Sequence, residues 1–226
     1  IVDKLRIARF RSRSLRGSIE DRFCDPETTS FQALQDAGFS SSMIERFFRP
    51  FLGGIFLDPE LRTSSRMLNF VFRMFSLGDA CLPAEGMEAI PRQLAAALPP
   101  NSIRLGARVV RVAPGEVTLS TGEELNAKSV VVAVEGQMAA HLLGDTIFSS
   151  GQGTTCLYFT APRPHIAQPL LVLNGDGRGP INNLCFPTVA APSYGLGEKS
   201  LVSVTVLGTG NDPVRLMSEV RAQLVE

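Results

Sequence analysis

The residues able to do chemistry in this chain are scattered rather than gathered at motif spacings. Cys24, Cys81, Cys156 and Cys185 lie far apart with no Cys-x-x-Cys pair, which argues against a zinc ribbon or a dithiol redox pair. They read as four reduced, mostly buried thiols of a reducing compartment. His141 and His165 each lack a second histidine three or four residues away, so no histidine-based metal site is expected. Gly175-Asp176-Gly177-Arg178-Gly179 follows a strand-like stretch. A phosphate-binding loop would open a helix there, because the phosphates rest on the helix N-terminus. Pro180-Ile181-Asn182-Asn183 follows instead, so the segment reads as a turn, and no Glu closes it as a calcium loop. No Gly-x-Ser-x-Gly elbow and no Walker lysine loop occurs. Glu123-Glu124 falls on a hairpin turn as a solvated pair, and Glu85 and Glu88 flank a helix start, where negative charge offsets the dipole.

The apolar residues are more informative. Of the aromatic residues 14 are Phe, two are Tyr and none is Trp, and Phe is concentrated between Phe47 and Phe75. Met43, Phe47, Phe48 and Phe51 share one side of a helical spacing over Ser41–Phe51. Met67, Phe70, Met74 and Phe75 do so over Ser64–Phe75. Such stripes build cores, and they can also wall a cavity for an apolar substrate, since Met and Phe adapt to irregular shapes.

Three stretches must position these residues. Residues 1–82 read as helical, with a basic start at Lys4, Arg6, Arg9, Arg11, Arg13 and Arg16. That start is a solvated helix face or a contact for lipid headgroups or an acidic partner. Asp25-Pro26 resembles a helix start, Gly38 a helix end, and Gly53-Gly54-Ile55-Phe56-Leu57-Asp58-Pro59 a tight connection using glycine's backbone freedom. From Pro83 to about Leu143 the pattern is helix, then sheet. A helix with the face Ile90, Leu94, Ala97 and Leu98 begins near Ala89, where Pro91 is tolerable. Strands are predicted at Ile103–Leu105, Val109–Val112 and Val117–Leu119, with a turn at Ser120-Thr121-Gly122 and a return through Leu125. The unbroken run Val130–Val134 predicts a strand buried on both faces. Beyond Phe148, strands are predicted at Thr154–Thr160, Leu170–Leu173, Leu184–Phe186 and Leu201–Leu207. A last helix opens at Asp212-Pro213 and buries Val214, Met217, Val220 and Leu224.

Composition bounds the function class. With 44% hydrophobic and 19% charged residues among 226, the chain is not a disordered one. Twenty-two basic residues balance twenty-two acidic ones, without the basic surplus of a nucleic-acid binder. No run approaches the roughly 18 apolar residues of a membrane span, and the arginine-studded start is no signal peptide. The chain begins with Ile1 rather than Met, as a processed product or a piece would.

One ordered series goes further. Leu82-Pro83-Ala84-Glu85-Gly86-Met87-Glu88-Ala89-Ile90-Pro91 to Leu94 precedes Ile103–Leu105, Val109-Val110-Arg111-Val112, Val117–Leu119, Gly122 and Val130–Val134. Over about 55 residues it resembles the mid-chain segment of the FAD-dependent amine oxidase and phytoene desaturase superfamily. There a "P-x-G-G-M-x-x-[IL]-P-x-x-L" helix leads to a "V-x-x-I" strand, a hairpin ending in Gly, and a "VV-x-A-x-P" strand. Glu45–Phe51 with Gly53–Phe56 resembles the family's helical substrate-domain insert, and Leu173–Asn183 the substrate-domain sheet of plant and cyanobacterial members. Two departures stand out: Glu85 replaces the first Gly of "G-G-M", and Glu135-Gly136 stands where Pro is usual.

The resemblance implies an α/β (α+β) fold combining part of an FAD-binding domain with a substrate-binding domain of mixed sheet and helices. Residues 1–82 would form the helical part of the substrate domain, 83–145 the returning segment of the FAD domain, and 146–226 the substrate-domain sheet. Gly86, Met87, Val109, Val110, Ala133, Val134 and Glu135 are the implied FAD contacts, with Val109 or Val110 bonding the adenine through its backbone and Ala133–Glu135 passing near the pyrophosphate. Phe47, Phe51, Phe70, Met74 and Phe159 are the implied substrate contacts, and strands Thr154–Thr160 and Leu201–Leu207 the cavity floor. The implied reaction is hydride transfer from a C–H or C–N bond of an apolar or amine substrate to FAD, in a plastid or cyanobacterial cell. The family's Gly-x-Gly-x-x-Gly segment and its C-terminal "Gly-Asp" segment are not in this sequence, so these 226 residues alone are expected to hold little or no flavin and to be inactive by themselves. The alternative is a non-catalytic scaffold or assembly subunit derived from such an enzyme.

Overall fold

The computed structural model describes residues 2–144, 151–162, 166–195, 197–210 and 212–225. His165, the 145/146 domain boundary and the chain's first residue lie outside them. Along the chain run α1 (Val2–Ser14), α2 (Ile19–Phe23), α3 (Ser30–Asp36), the single turn α4 (Ser41–Met43), a π-helical turn at Ile44–Phe48, α5 (Arg49–Phe56) and α6 (Ser65–Leu77). Then come α7 (Ala89–Ala96), β1 (Val109–Ala113), β2 (Glu116–Leu119), β3 (Glu124–Asn126) and α8 (Gly136–Leu143). The order closes with β4 (Thr154–Ala161), β5 (Leu171–Leu173), β6 (Asn183–Cys185), the short α9 (Pro187–Ala190), β7 (Ser200–Leu207) and α10 (Pro213–Val225). Helices and antiparallel sheets are thus mixed, as the α/β (α+β) reading requires. The chain divides into two compact units, residues 1–87 with 153–226, and residues 88–152.

In the first unit the skewed aromatic content becomes a helical core. Phe48, with no exposed surface, meets Phe39 edge-on at 4.7 Å between centroids and Phe47 at 5.1 Å, while Phe10 meets Phe72 at 4.9 Å. Leu34, Leu52, Leu61 and Leu68 complete it. Edge-to-face pairs of this kind add to the burial of their area. The π turn has a local cause in Pro50, whose ring would collide with the carbonyl four residues back in a regular helix. The widened turn, closed by the Arg49 N–H on the Ile44 carbonyl, relieves that collision.

Several expectations need correction here. Asp25-Pro26 does not start α3; the N-cap is Thr29, whose hydroxyl accepts from the Gln32 N–H at 3.1 Å. Asp25 is held by Arg22 at 3.1 Å instead. Gly53 and Gly54 are not the connection but lie inside α5. The turn after it is built on Leu57 and Leu61, both left-handed at φ 55° and 53°, around the buried Asp58 carboxylate, which accepts from the Thr63 N–H at 2.9 Å and the Glu60 N–H at 3.2 Å. On α6 the buried line is Ser65 and Leu68, with Phe72 against the core, while Met67, Met74 and Phe75 stay exposed.

The second half of this unit is a four-stranded antiparallel sheet in the order β4-β7-β6-β5. One face carries Val202, Val204 and Val206 with Leu157 and Phe159, covered by Leu216 and Val220 of α10. Val214, expected in that core, is exposed, and Leu216 takes the place, four residues before Val220 on the same helical face. Of the four cysteines only Cys185 is partly buried; the other three are exposed, against the expectation of buried thiols. Cys156 is exposed because strand alternation turns it away from the α10 side.

The second unit is a three-stranded antiparallel sheet, β1-β2-β3, with α7 and α8. The hairpin turn uses Gly122 at φ 84°. Ile103–Leu105 is irregular rather than a strand, with a turn opening at Leu105, and Arg104 pairs with Glu123. Val130–Val134 is likewise no strand, and Val131 is 86% exposed. β-branched residues favour a strand only where a neighbour completes the ladder and covers the side chains, and no described strand pairs with this run. The apolar face of α7 at Ile90, Leu94 and Leu98 is also exposed.

Candidate functional site

The residues matched to FAD fall in both units, and each set is described within its own. In the second unit β1 is an edge strand, and its register against β2 shifts between Val109 and Arg111. The register slips by one residue at Val110, as at a β-bulge, where the regular ladder is interrupted. A backbone group left free on an edge strand can read a ligand in the same way as a neighbouring strand would. α8 packs on β1. Its N-cap is Glu135, which makes no side-chain capping bond, and the first intrahelical bond runs from the Ala139 N–H to the Glu135 carbonyl at 2.8 Å. The N–H groups of Gly136, Gln137 and Met138 therefore have no helical acceptor. This end attracts anions, and the Glu135 carboxylate beside it opposes them. Ala133 and Val134 lead into it, both exposed. An edge strand with an interrupted ladder and an open helix N-terminus, both in the second unit, are backbone features that fit a dinucleotide such as FAD. In the first unit Gly86 takes φ 87° with open space where a Cβ would stand, and Met87 is exposed.

The proposed substrate contacts do not converge. Phe47 stacks on Phe51 at 5.4 Å, and Phe51 meets Phe75 at 5.4 Å, forming one aromatic row. Phe70 pairs with Phe23 at 6.1 Å, and Met74 is on the surface. Phe159 packs into the core shared with α10, so its ring is committed beneath the sheet rather than above it.

Strands β4 and β7 do pair along their whole length, and the face away from α10 carries chemistry that apolar spacing missed. Tyr158 lies opposite Ser203, which lies opposite Cys185. Cys156 Sγ is 3.6 Å from Ser203 Oγ, and Tyr158 is 63% exposed. The hydrogen bond between Tyr158 and Cys156, together with that thiol's charge, pushes the phenol above its ordinary value. Burial, and then the charge of Cys156, pushes the Cys185 thiol up. The signal was legible as alternation: Thr154, Cys156, Tyr158 and Thr160 against Thr155, Leu157, Phe159 and Ala161.

The glycine-rich loop after β5 has a structural task. A Cβ on Gly175 would come within 2.8 Å of the Arg46 carbonyl, so this glycine admits the π turn. The Asn174 amide donates to the Arg178 and Ile181 backbone carbonyls, and the side-chain Oε1 of Gln223 on α10 accepts from the Ile181 N–H. No group of three metal-ligating residues occurs among the described residues, and no helix there is long and apolar enough to cross a membrane.

Over residues 1–225 the sequence matches the family described as flavin-containing amine oxidoreductase. No curated protein matches it significantly. Among solved structures, an oxidoreductase from Methanosarcina mazei is similar at 17% identity and TM-score 0.71, over 92% of this chain and 54% of its own. A protein from Pyrococcus furiosus is similar at 12% identity and TM-score 0.71, over 97% and 57%. Reduced UDP-galactopyranose mutase is similar at 11% identity and TM-score 0.56, over 86% and 50%. These likenesses speak for the fold, and the chain spans about half the length of each structure. With the family matched from end to end, the chain belongs to the flavin-containing amine oxidoreductases.

Proposed function

We propose that the chain forms the substrate-binding domain and one returning FAD-domain segment of an FAD-dependent oxidoreductase acting on an apolar or amine substrate. The observation that carries this reading is the register shift at Val110 on the edge strand against which α8 packs. When bound, FAD would supply a two-electron acceptor for the hydride of a substrate C–H bond, which in an amine is the one next to nitrogen. The chain's own residues have four tasks. The Val109-Val110 backbone, where the ladder is interrupted, would hold the adenine. The N–H groups of Gly136–Met138 face the pyrophosphate. Gly86, left-handed and with open space where a Cβ would stand, leaves its own stretch of the first unit open to close approach by a ligand. The open sheet face presents Tyr158, Cys156 and Ser203 to the substrate, while the Phe47–Phe51–Phe75 row supplies aromatic surface. The likeness of Leu173–Asn183 to plant and cyanobacterial members supports a desaturase-type substrate and a plastid or cyanobacterial setting, which fractionation of the source cells tests.

The decisive experiment is the visible absorbance spectrum of the protein purified from its native source. Flavin bands that bleach anaerobically with an apolar or amine substrate are expected. A colourless, folded native protein overturns the oxidoreductase reading and leaves the scaffold. A Val110→Pro variant refines the test. Proline is tolerated at a bulge on an edge strand but lacks the N–H, so the fold is expected to survive while flavin retention falls about tenfold, the loss of one hydrogen bond of roughly 1.4 kcal/mol.

A further inference from the structure

Outside the residues matched to flavin, the first unit holds a second concave site, on the outer side of α1. Arg6, Arg9 and Arg13 follow one another at spacings of three and four, which places them along one face of α1, and Arg16 stands just past its end. With Phe10, Ser12, Asp36 and Ala37 they line a cavity of about 440 Å³ against the end of α3, within the range of small-molecule pockets. Neighbouring like charges on one helix face destabilise it, so four guanidiniums around one cavity need negative charge from somewhere. The walls supply one carboxylate, Asp36, already accepting from the Gln32 amide at 2.8 Å. Arg6 has Asp3 at 3.1 Å. Among the described residues no carboxylate pairs with Arg9, Arg13 or Arg16.

One wall is fixed in advance. The Asp3 carboxylate that holds Arg6 accepts from the Ser40 hydroxyl at 2.6 Å and the Ser40 N–H at 3.0 Å. Those bonds keep its carboxyl below the usual range, so the pairing persists at neutral pH. Gly38, at φ 82°, brings the chain under Arg6; a Cβ there would meet Arg6 Nε at 3.4 Å. Arg6 is thus a seated fork beside three unpaired ones. Guanidinium forks match phosphate oxygens two at a time.

We infer that this cavity binds a ligand carrying two or more phosphates, held by Arg6, Arg9, Arg13 and Arg16 over the floor of Phe10 and Ala37. The ligand can be a soluble polyphosphate anion or the headgroup of a phosphorylated lipid, since both offer the same oxygens. The test uses the native protein and the variant Arg9→Gln/Arg13→Gln, titrated with inorganic pyrophosphate and separately mixed with vesicles containing phosphatidylinositol bisphosphate. Pyrophosphate binding that weakens at least tenfold in the variant, with the far-UV spectrum unchanged, establishes the soluble source. Vesicle binding lost in the variant, with pyrophosphate inert, establishes the lipid source. Binding of neither probe, or equal binding by protein and variant, overturns the inference. Arg16→Gln, which lies past the end of α1, serves if the double variant misfolds, and is expected to weaken the same binding about threefold.

Discussion

Gly53 and Gly54 are adjacent in α5, yet replacing each by alanine should move stability in opposite directions. In a helix interior alanine is favoured over glycine by about 1 kcal/mol. At Gly53 an added Cβ would touch the Asp58 carbonyl, Leu207 and Pro59 at 3.6 Å, ordinary contact. Gly53→Ala should therefore stabilise the first unit by about 0.5–1 kcal/mol. At Gly54 the Cβ would stand 2.6 Å from Asn183 Nδ2 and 2.9 Å from Asn182 Nδ2. Asn183 is buried on β6, and the Asn182 amide donates to the Pro50 carbonyl at 2.9 Å. Displacing the amides loses a hydrogen bond of about 1 kcal/mol and adds overpacking of about 1–3 kcal/mol. Against the alanine gain of about 1 kcal/mol, Gly54→Ala should destabilise by about 1–3 kcal/mol. The assay is thermal unfolding of both variants and the parent, followed by far-UV circular dichroism, with midpoints expected to differ by roughly 3–16 °C between the variants. If Gly54→Ala is as stable as Gly53→Ala, α5 does not lie against the β5–β6 turn as described, and the packing that sets the helices against the open sheet face is refuted.

Three further outcomes follow from single groups. Burial raises the Asp58 carboxyl, but the N–H groups of Thr63, Arg62 and Glu60 outweigh it and leave it below its ordinary value. A lowered carboxyl contributes stability above its unfolded pKa and loses it as pH falls through the folded value. Asp58→Asn should accordingly cost about 1–3 kcal/mol at pH 7 and flatten the acid limb of the stability curve below about pH 4, as measured by urea midpoints against pH. The raised Cys185 thiol has less thiolate at any given pH, so Ellman's reagent at pH 8 should find Cys24, Cys81 and Cys156 fast and Cys185 slow; four equal rates would contradict the burial. Glu135→Gln removes the carboxylate beside the open end of α8, and should tighten flavin retention of the native holoprotein by roughly 2–5-fold, read by flavin release under dilution.

Legibility divided along a physical line. Where one chain segment carries its own reason to fold, the sequence was readable. The alternation of β4 and β7, the Gly122 hairpin and the start of α7 ahead of Pro91 all depend on neighbours within a few residues. Where the reason lies on a distant element, local signals misled. Gly53-Gly54 reads as a loop because glycine breaks helices, but Gly54 is there to admit Asn182 and Asn183, well over a hundred residues on. Phe159 reads as a cavity residue because it is aromatic, but strand parity sends it to the α10 core and gives the open face to Tyr158. The run Val130–Val134 shows the same dependence from the other side. Its composition is that of a buried strand, yet among the described elements it is unpaired, with Val131, Ala133 and Val134 exposed and Val130 and Val132 only half-buried. Five β-branched or small apolar residues in water are costly, and a ladder needs a partner on at least one edge. A strand added beside this run would bury it and steer Ala133 and Val134 toward the Gly136–Met138 N–H groups. Amide hydrogen exchange decides the point: Val130–Val134 should exchange rapidly in the 226-residue chain and become protected in flavin-loaded native protein, whereas rapid exchange in both would detach this segment from the cofactor site.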